Sequence, residues 1–201
     1  MIKAIIFDFG NVIFKTDFDK VNKEFIKKYG ISVKVNDKLE LRKIYLNTEI
    51  GRDKIENLFR KINPDINNKE LITFYKKSYL KNKKINKKLI VIIKKLKKRY
   101  ILYGFTDTNQ VHFDANLKEG IFKGFKKIFT SFEFGKRKSD EISFNYLIKK
   151  IKLKPNECLF IDDYKLNIKN ARKKGLKTIH YIDFPKINNL KKDLRKYNIK
   201  W

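Results

Sequence analysis

The chain carries a single cysteine, Cys158, among 201 residues. That excludes a disulfide framework and a cysteine-rich zinc site. Two histidines, His112 and His180, leave little material for a histidine-built metal centre. No apolar run approaches the roughly 18 residues that a membrane span requires. The opening residues, Met-Ile-Lys-Ala-Ile-Ile-Phe-Asp, lack a signal-peptide layout, because their apolar stretch is short and ends in a carboxylate. A cytoplasmic, reducing setting is the resulting expectation. Acidic residues are also scarce: 22 stand against 50 basic ones, for a formal net charge of +28.

Such an imbalance invites a nucleic-acid reading, since clustered cations release counterions from phosphate backbones. The kind of cation argues against it. Of the 50 basic residues 43 are Lys and 7 are Arg, beside 28 Ile and 19 Asn. All three abundant residues have A/T-rich codons, so a biased genome produces this excess without functional selection. Arg, which supplies the bidentate contacts of specific nucleic-acid sites, is the scarce one. The densest stretch, Lys76 to Arg99, interleaves its lysines with Leu80, Ile85, Leu89, Ile92, Ile93 and Leu96. That spacing predicts a helix with an apolar stripe and a solvated basic face. Neither nucleic acid nor a membrane is an expected partner.

What is present is enough apolar material for a core, at 42% of residues with 14% aromatic. Length predicts one domain, or one domain with an insertion. Residues 3–9 form a short apolar run ending at Asp8 and followed by Gly10-Asn11, which reads as a buried strand and a tight turn. From about Asp17 to Asn86 the periodicity becomes helical, with Val21, Phe25 and Tyr29 spaced by four and Gly30 as a stop. No strand pattern is visible there, so residues 16–86 read as an inserted helical module within a core of residues 1–15 and 87–201. Strands then alternate with helices: Tyr100–Phe105, Lys127–Thr130, Cys158–Ile161 and Lys177–Tyr181 each precede a loop or helix. This alternation predicts an α/β fold with a parallel, Rossmann-like sheet and helices on both faces.

In such sheets ligands bind beyond the carboxyl ends of the strands. The residues just past the predicted strands are Asp8, Thr106, Lys138 (further along its loop) and Asp162-Asp163. Asp8 and Asp163 are hard oxygen ligands suited to Mg²⁺. Lys138 and the Thr106 hydroxyl suit phosphate oxygens. Aspartate is an established nucleophile in phosphoryl transfer. Position and residue type thus converge on metal-assisted phosphoryl chemistry.

The four stretches, in order, resemble the motifs of the haloacid dehalogenase (HAD) superfamily. Ile-Ile-Phe-Asp8-Phe-Gly10-Asn11-Val12 resembles the first, Gly-Phe-Thr106-Asp107-Thr108-Asn109 the second, Gly135-Lys-Arg-Lys138-Ser the third, and Leu-Phe-Ile-Asp162-Asp163 the fourth. The helical insertion sits where a family cap sits. The Phe-Asp-Phe-Gly-Asn-Val form, Thr108-Asn109 and His112 look most like the branch of small sugar-phosphate phosphatases of the α-glucose-1-phosphate type. The resemblance implies a Mg²⁺-dependent phosphatase acting on a small phosphorylated metabolite, possibly a sugar phosphate. Asp8 would attack phosphorus; Asp8, Asp163 and the Gly10 carbonyl would hold Mg²⁺, with Asp162 supporting the metal shell or Lys138. Thr106 and Lys138 would bind and neutralise the transferring group, and backbone amides of Gly10, Asn11 and Val12, with Asp107, would complete the phosphate site.

Two positions depart from the family pattern. Gly10 stands where most family phosphatases carry a second Asp as general acid/base, a group typically worth a factor of about 10²–10⁴. The branch this chain resembles also has Gly there. Asp107 stands where Asn is usual, and two roles are open to it: repelling an anionic substrate, or supplying the missing proton shuttle. Alternatives to a phosphatase are a weak or inactive binding protein on the same fold, and a dehalogenase-type hydrolase, which needs the Asp nucleophile but no metal. Cys158 reads as a packed thiol and His112 as structural or substrate-facing. His180 carries no assigned role. The aromatics Phe18, Phe25, Tyr29, Tyr45 and Phe59 read as core of the insertion, with one or two at the site entrance. Monomer and homodimer are both open.

Overall fold

The computed structural model describes residues 1–201. Strand β1 (Ala4–Phe7) is completely buried, as a run apolar on both faces requires at the centre of a sheet. After it, β2 (Phe14–Thr16) leads into four helices: α1 (Phe18–Tyr29), α2 (Leu39–Glu49), α3 (Ile55–Ile62) and α4 (Asn68–Lys81). Strand β3 (Lys83–Ile85) returns the chain to the core and is followed by α5 (Lys87–Leu96). The remainder runs β4 (Ile101–Thr106), α6 (Gln110–Lys118), β5 (Lys127–Thr130), the one-turn α7 (Ser131–Phe134), α8 (Ile142–Ile151), β6 (Cys158–Asp162), α9 (Lys165–Lys173), β7 (Lys177–His180) and α10 (Asn188–Lys196).

Five strands form one parallel sheet in the order β5-β4-β1-β6-β7. The period-two alternation of each strand divides the core into two layers. Ile5, Phe7, Leu102, Leu159 and Ile161 pack with Leu89, Ile92, Ile93 and Leu96 of α5 and Leu190 and Leu194 of α10. Ala4, Ile6, Phe105, Cys158 and Phe160 face the other way, onto Phe144, Leu147 and Ile151 of α8 and Ile168 and Ala171 of α9. The sheet therefore has helices on both faces, as the alternating pattern implies. Cys158 is a buried free thiol, in keeping with its reading as a packed residue. No helix is long and apolar enough to cross a membrane.

The insertion has its own core, built from Val21, Phe25, Leu41, Ile55, Leu58, Phe59, Leu71 and Tyr75. Side-chain caps mark its ends. Asp17 Oδ1 accepts the Lys20 amide at the start of α1, and Gly30 closes that helix in the left-handed region, both standard end signals.

Two expectations are corrected here. Residues Lys76 to Arg99 are not one helix. The turn at Asn82 ends α4, and Asn86 starts α5 by accepting the Leu89 amide at 3.2 Å. Leu80 and Ile85 thus belong to elements other than the Leu89–Leu96 stripe. The stretch also contains a strand, β3, which pairs antiparallel with β2. Three residues with two lysines carry no readable strand signal. The pairing comes from the chain's need to leave and re-enter the core at one place.

Candidate active site

Strands β4, β1 and β6 are neighbours, so the loops that follow them open at one edge of the sheet. Asp8 follows β1, Thr106 ends β4 and Asp162 ends β6. Between them lies the Lys138 ammonium, 2.5 Å from Asp8 Oδ1 and 2.6 Å from Asp162 Oδ2. All three side chains are buried. The lysine reaches this position because its loop is clamped from two sides. Asp107 Oδ1 accepts the Lys138 amide at 2.9 Å. From α9, the Asn170 amide donates to the carbonyls of Lys138 and Ser139 at 3.2 and 2.9 Å.

Asp162 has little capacity left. It accepts the Tyr164 amide at 2.7 Å and the Asn167 side chain on both oxygens, in addition to Lys138. Asp163 is more open and accepts only Asn11 Nδ2, at 3.1 Å. Asn11 makes that contact from a left-handed turn (φ 54°), a conformation Asn tolerates better than most residues. His180, to which the sequence assigned nothing, lies with Nε2 2.8 Å from the Asp163 carbonyl.

One carboxylate oxygen each from Asp8, Asp162 and Asp163 lie within 4.8 Å of one another. Three carboxylates and one ammonium leave a surplus of two negative charges in a largely buried site. Burial raises Asp8 to about 8, against the pull of Lys138 and with a further push from Asp162 and Asp163. Burial also raises Asp163, and Asp162 adds to it. Burial works against the Lys138 ammonium, yet Asp162, Asp8 and Asp107 outweigh it and its pKa is raised. The lysine is therefore a fixed cation. Hard oxygen donors with uncompensated charge suit a small divalent cation, whose charge would draw Asp8 back to its ionised form.

Gly10, Asn11, Thr106 and Asp107 all line a pocket of about 250 Å³ above this cluster. The N–H groups of Gly10, Asn11 and Asp107 donate to no carbonyl within the chain, which leaves them for a ligand. Val12 does not join them. Its amide is committed to the Phe9 carbonyl at 3.3 Å, which corrects the expectation of a phosphate donor there. The Asp107 carboxylate tethers the lysine loop, and burial raises its pKa against the pull of Lys138. The opposite wall comes from the insertion, including Phe18, Tyr45, Glu49 and Tyr79. Phe25 and Phe59 are core residues, as expected of most of the aromatics.

His112 also lines this pocket, but it is buried, stacks on Tyr79 at 4.2 Å and places Nε2 3.0 Å from the Tyr75 hydroxyl. Burial, helped by Lys83, lowers it to about 3, so it is neutral over the ordinary pH range.

Sequence reasoning missed Glu49 and Arg137. The Arg137 Nε lies 3.2 Å from Glu49 Oε2 and 3.6 Å from Asp107 Oδ2, an ion-pair distance without hydrogen-bond alignment. Burial lifts Glu49 to about 7; Arg137 opposes this and Asp107 reinforces it. Nothing near position 49 announces this, because its partners are brought in by the fold.

Comparison with known proteins gives a consistent picture. A family model described as haloacid dehalogenase-like hydrolase matches residues 2–172. D-ribitol-5-phosphate phosphatase of Bacteroides thetaiotaomicron is 30% identical over 189 residues, covering 89% of this chain and 91% of that protein. Among solved structures, a HAD family enzyme from Bacteroides thetaiotaomicron, in complex with magnesium and inorganic phosphate, superposes with a TM-score of 0.79. It is 21% identical and covers 94% of this chain and 99% of that one. A predicted HAD-like hydrolase from Porphyromonas gingivalis gives 0.78 at 24% identity, covering 98% of both chains.

Proposed function

Since the chain belongs to the haloacid dehalogenase-like hydrolases, we propose that it is a Mg²⁺-dependent phosphatase of a small phosphorylated metabolite. The observation that carries this reading is the Asp8–Lys138–Asp162 arrangement, with Asp163 beside it, at the carboxyl ends of three adjacent strands. The D-ribitol-5-phosphate phosphatase relative supports a phosphorylated polyol or sugar as substrate. The 250 Å³ pocket is of a size for such a molecule. Residues 16–86 act as its cap.

Asp8 attacks phosphorus, and the bond to the leaving oxygen breaks. Water then releases phosphate from Asp8. Lys138 holds positive charge against the transferring group and, through Asp162, keeps its position as that charge moves. The free N–H groups of Gly10, Asn11 and Asp107, with the Thr106 hydroxyl, orient the phosphoryl oxygens. Asp8, Asp163 and the Gly10 carbonyl, backed by Asp162, would hold Mg²⁺, which supplies charge neutralisation at the phosphoryl oxygens. A related fold crystallised with magnesium and phosphate supports that choice of ion.

The test is phosphate release from a panel of sugar, polyol and aryl phosphates, with and without Mg²⁺. Wild type is expected to turn over at least one of them only with Mg²⁺, and Asp8→Asn to lose at least about 10³-fold, as a missing nucleophile should. Equal rates in both proteins would sink the reading.

A further inference from the structure

The phosphatase reading leaves a chemical gap. Expelling an alcohol from a phosphate ester requires a proton for the departing oxygen, and Gly10 has no side chain to supply one. The gap is not forced by space: a Cβ on Gly10 would have only Asp8 Oδ2 as a neighbour, at 4.0 Å. Five of the ionisable side chains that face the pocket or its walls are candidates for the task.

His112 is committed to Tyr75 and stays neutral. Burial raises Asp107 against the pull of Lys138 and Arg137, but one of its oxygens is taken by the Lys138 amide and the other faces Arg137, and it stands on the β4 side of the pocket rather than the cap side. Tyr45 and Tyr75 are pushed well up by burial. Glu49 is different. It comes from the last turn of α2, on the cap side of the pocket, where the leaving group must lie when phosphorus sits over Asp8. It lines both the 250 Å³ pocket and a 500 Å³ cavity running into the cap. The helix end that carries it is fastened to the core, with the Ser131 hydroxyl donating to the Glu49 carbonyl at 2.5 Å and accepting the Thr108 amide at 3.0 Å. Its carboxyl is nine-tenths buried, and Oε2 has no hydrogen-bond partner.

We infer that Glu49 is the general acid and base of this site, delivered by the cap in place of the side chain missing at position 10. The inference rests on the phosphatase reading. In the first step an Asp8 oxygen forms a bond to phosphorus while the ester P–O bond breaks. The electron pair passes to the leaving oxygen, which takes the Glu49 proton and departs as a neutral alcohol. In the second, water forms a bond to phosphorus and gives its proton to the Glu49 carboxylate. The Asp8–phosphorus bond breaks, restoring Asp8, and inorganic phosphate leaves. Glu49 ends protonated as it began. The charged and ionisable groups facing it are Arg137 and Lys138 from the lysine loop, Asp107 from the β4 loop, Tyr45 on α2 and Tyr75 on α4. The titration of Glu49 near neutrality suits a group that must serve in both forms.

The test uses the dependence of rate on leaving group, which a structural role would not change. Wild type, Glu49→Gln and Asp107→Asn are compared on 4-nitrophenyl phosphate, whose leaving group needs little protonation, and on phenyl phosphate, whose leaving group needs more. Glu49→Gln is expected to lose at least tenfold more on phenyl phosphate than on 4-nitrophenyl phosphate. The fall in kcat/KM for phenyl phosphate above neutral pH should vanish with it. Asp107→Asn should lose equally on both. Equal losses for Glu49→Gln, with Asp8-dependent turnover intact in wild type, overturn the inference alone. Absence of Asp8-dependent turnover on either ester overturns the phosphatase reading and the inference together.

Discussion

His112 shows how a single residue's environment becomes a property of the whole protein. Its pKa falls from an unfolded value near 6.5 to about 3 when buried. The unfolded chain therefore binds a proton between those values that the folded protein refuses. Stability from this residue is complete above pH 6.5 and is lost as pH falls toward 3. By pH 4.5 the loss amounts to about 3 kcal/mol relative to pH 7.5. Glu49 and Asp8, both raised, have the opposite sign and stabilise the fold as pH falls, so the total curve is a difference. Urea midpoints of wild type and His112→Gln between pH 4.5 and 7.5 isolate the histidine: the variant should lose less stability on acidification. A parallel pair of curves would contradict the account.

The residues that carry the proposed chemistry divide the same way between what a sequence displays and what a fold assembles. Asp8 sits directly beyond a strand, and Thr106 and Asp162 end theirs; the apolar runs of all three are plain, so their convergence follows from the parallel order. Lys138 is one lysine among 43, and only its place after Gly135 in the motif distinguishes it. Glu49 and Arg137 have no such marker. They meet across 88 positions (137 − 49) because α2 ends against α7, and no local pattern encodes that contact.

At the scale of elements, the docking of α2 on α7 depends on close approach. Gly51 follows α2 with φ 71°, and a Cβ there would lie 2.5 Å from the Phe132 carbonyl oxygen. Gly120 has a similar φ of 72° but open space around it. Alanine at Gly120 should cost about 1–2 kcal/mol for the left-handed backbone alone. Alanine at Gly51 adds a steric conflict with backbone and should cost about 2–4 kcal/mol. Denaturant midpoints of the two variants read the difference, and similar losses would show that the close approach at Gly51 carries no energetic weight. The core strands are legible to within about two residues: β1, β4 and β6 are buried or nearly buried apolar runs ended by polar residues, and the shorter β5 and β7, each with two buried residues, follow from the alternation with helices. The β2–β3 ribbon is not legible, because Phe14-Lys-Thr and Lys-Lys-Ile owe their pairing to topology rather than to composition.

For the molecule as a whole, the +28 charge remains a field rather than a site. Only Lys138 of the many lysines stands in the proposed chemistry. The rest should raise the local concentration of anionic substrate and its rate of capture. Raising salt from about 20 to 500 mM shrinks the Debye length from about 20 Å to about 4 Å. A several-fold fall in kcat/KM with little change in kcat is then expected, measured on a dianionic phosphate ester. A salt-independent kcat/KM would remove the surface charge from the account.

The central position of β1 has a consequence for the order in which the chain is made. Ala4 pairs with Ile101 on one side and Cys158 on the other. During synthesis the Ala-Ile-Ile-Phe segment leaves the ribosome before either neighbour and waits for both. The insertion, whose core lies between Val21 and Tyr75 apart from Val111, can collapse on local contacts while β1 is still unpaired. A nascent chain arrested between β4 and β6 carries a helical bundle beside a half-built sheet, with one apolar edge open to other chains. Translation through the stretch from Ile101 to Cys158 is therefore the interval in which this protein depends most on speed, or on a chaperone.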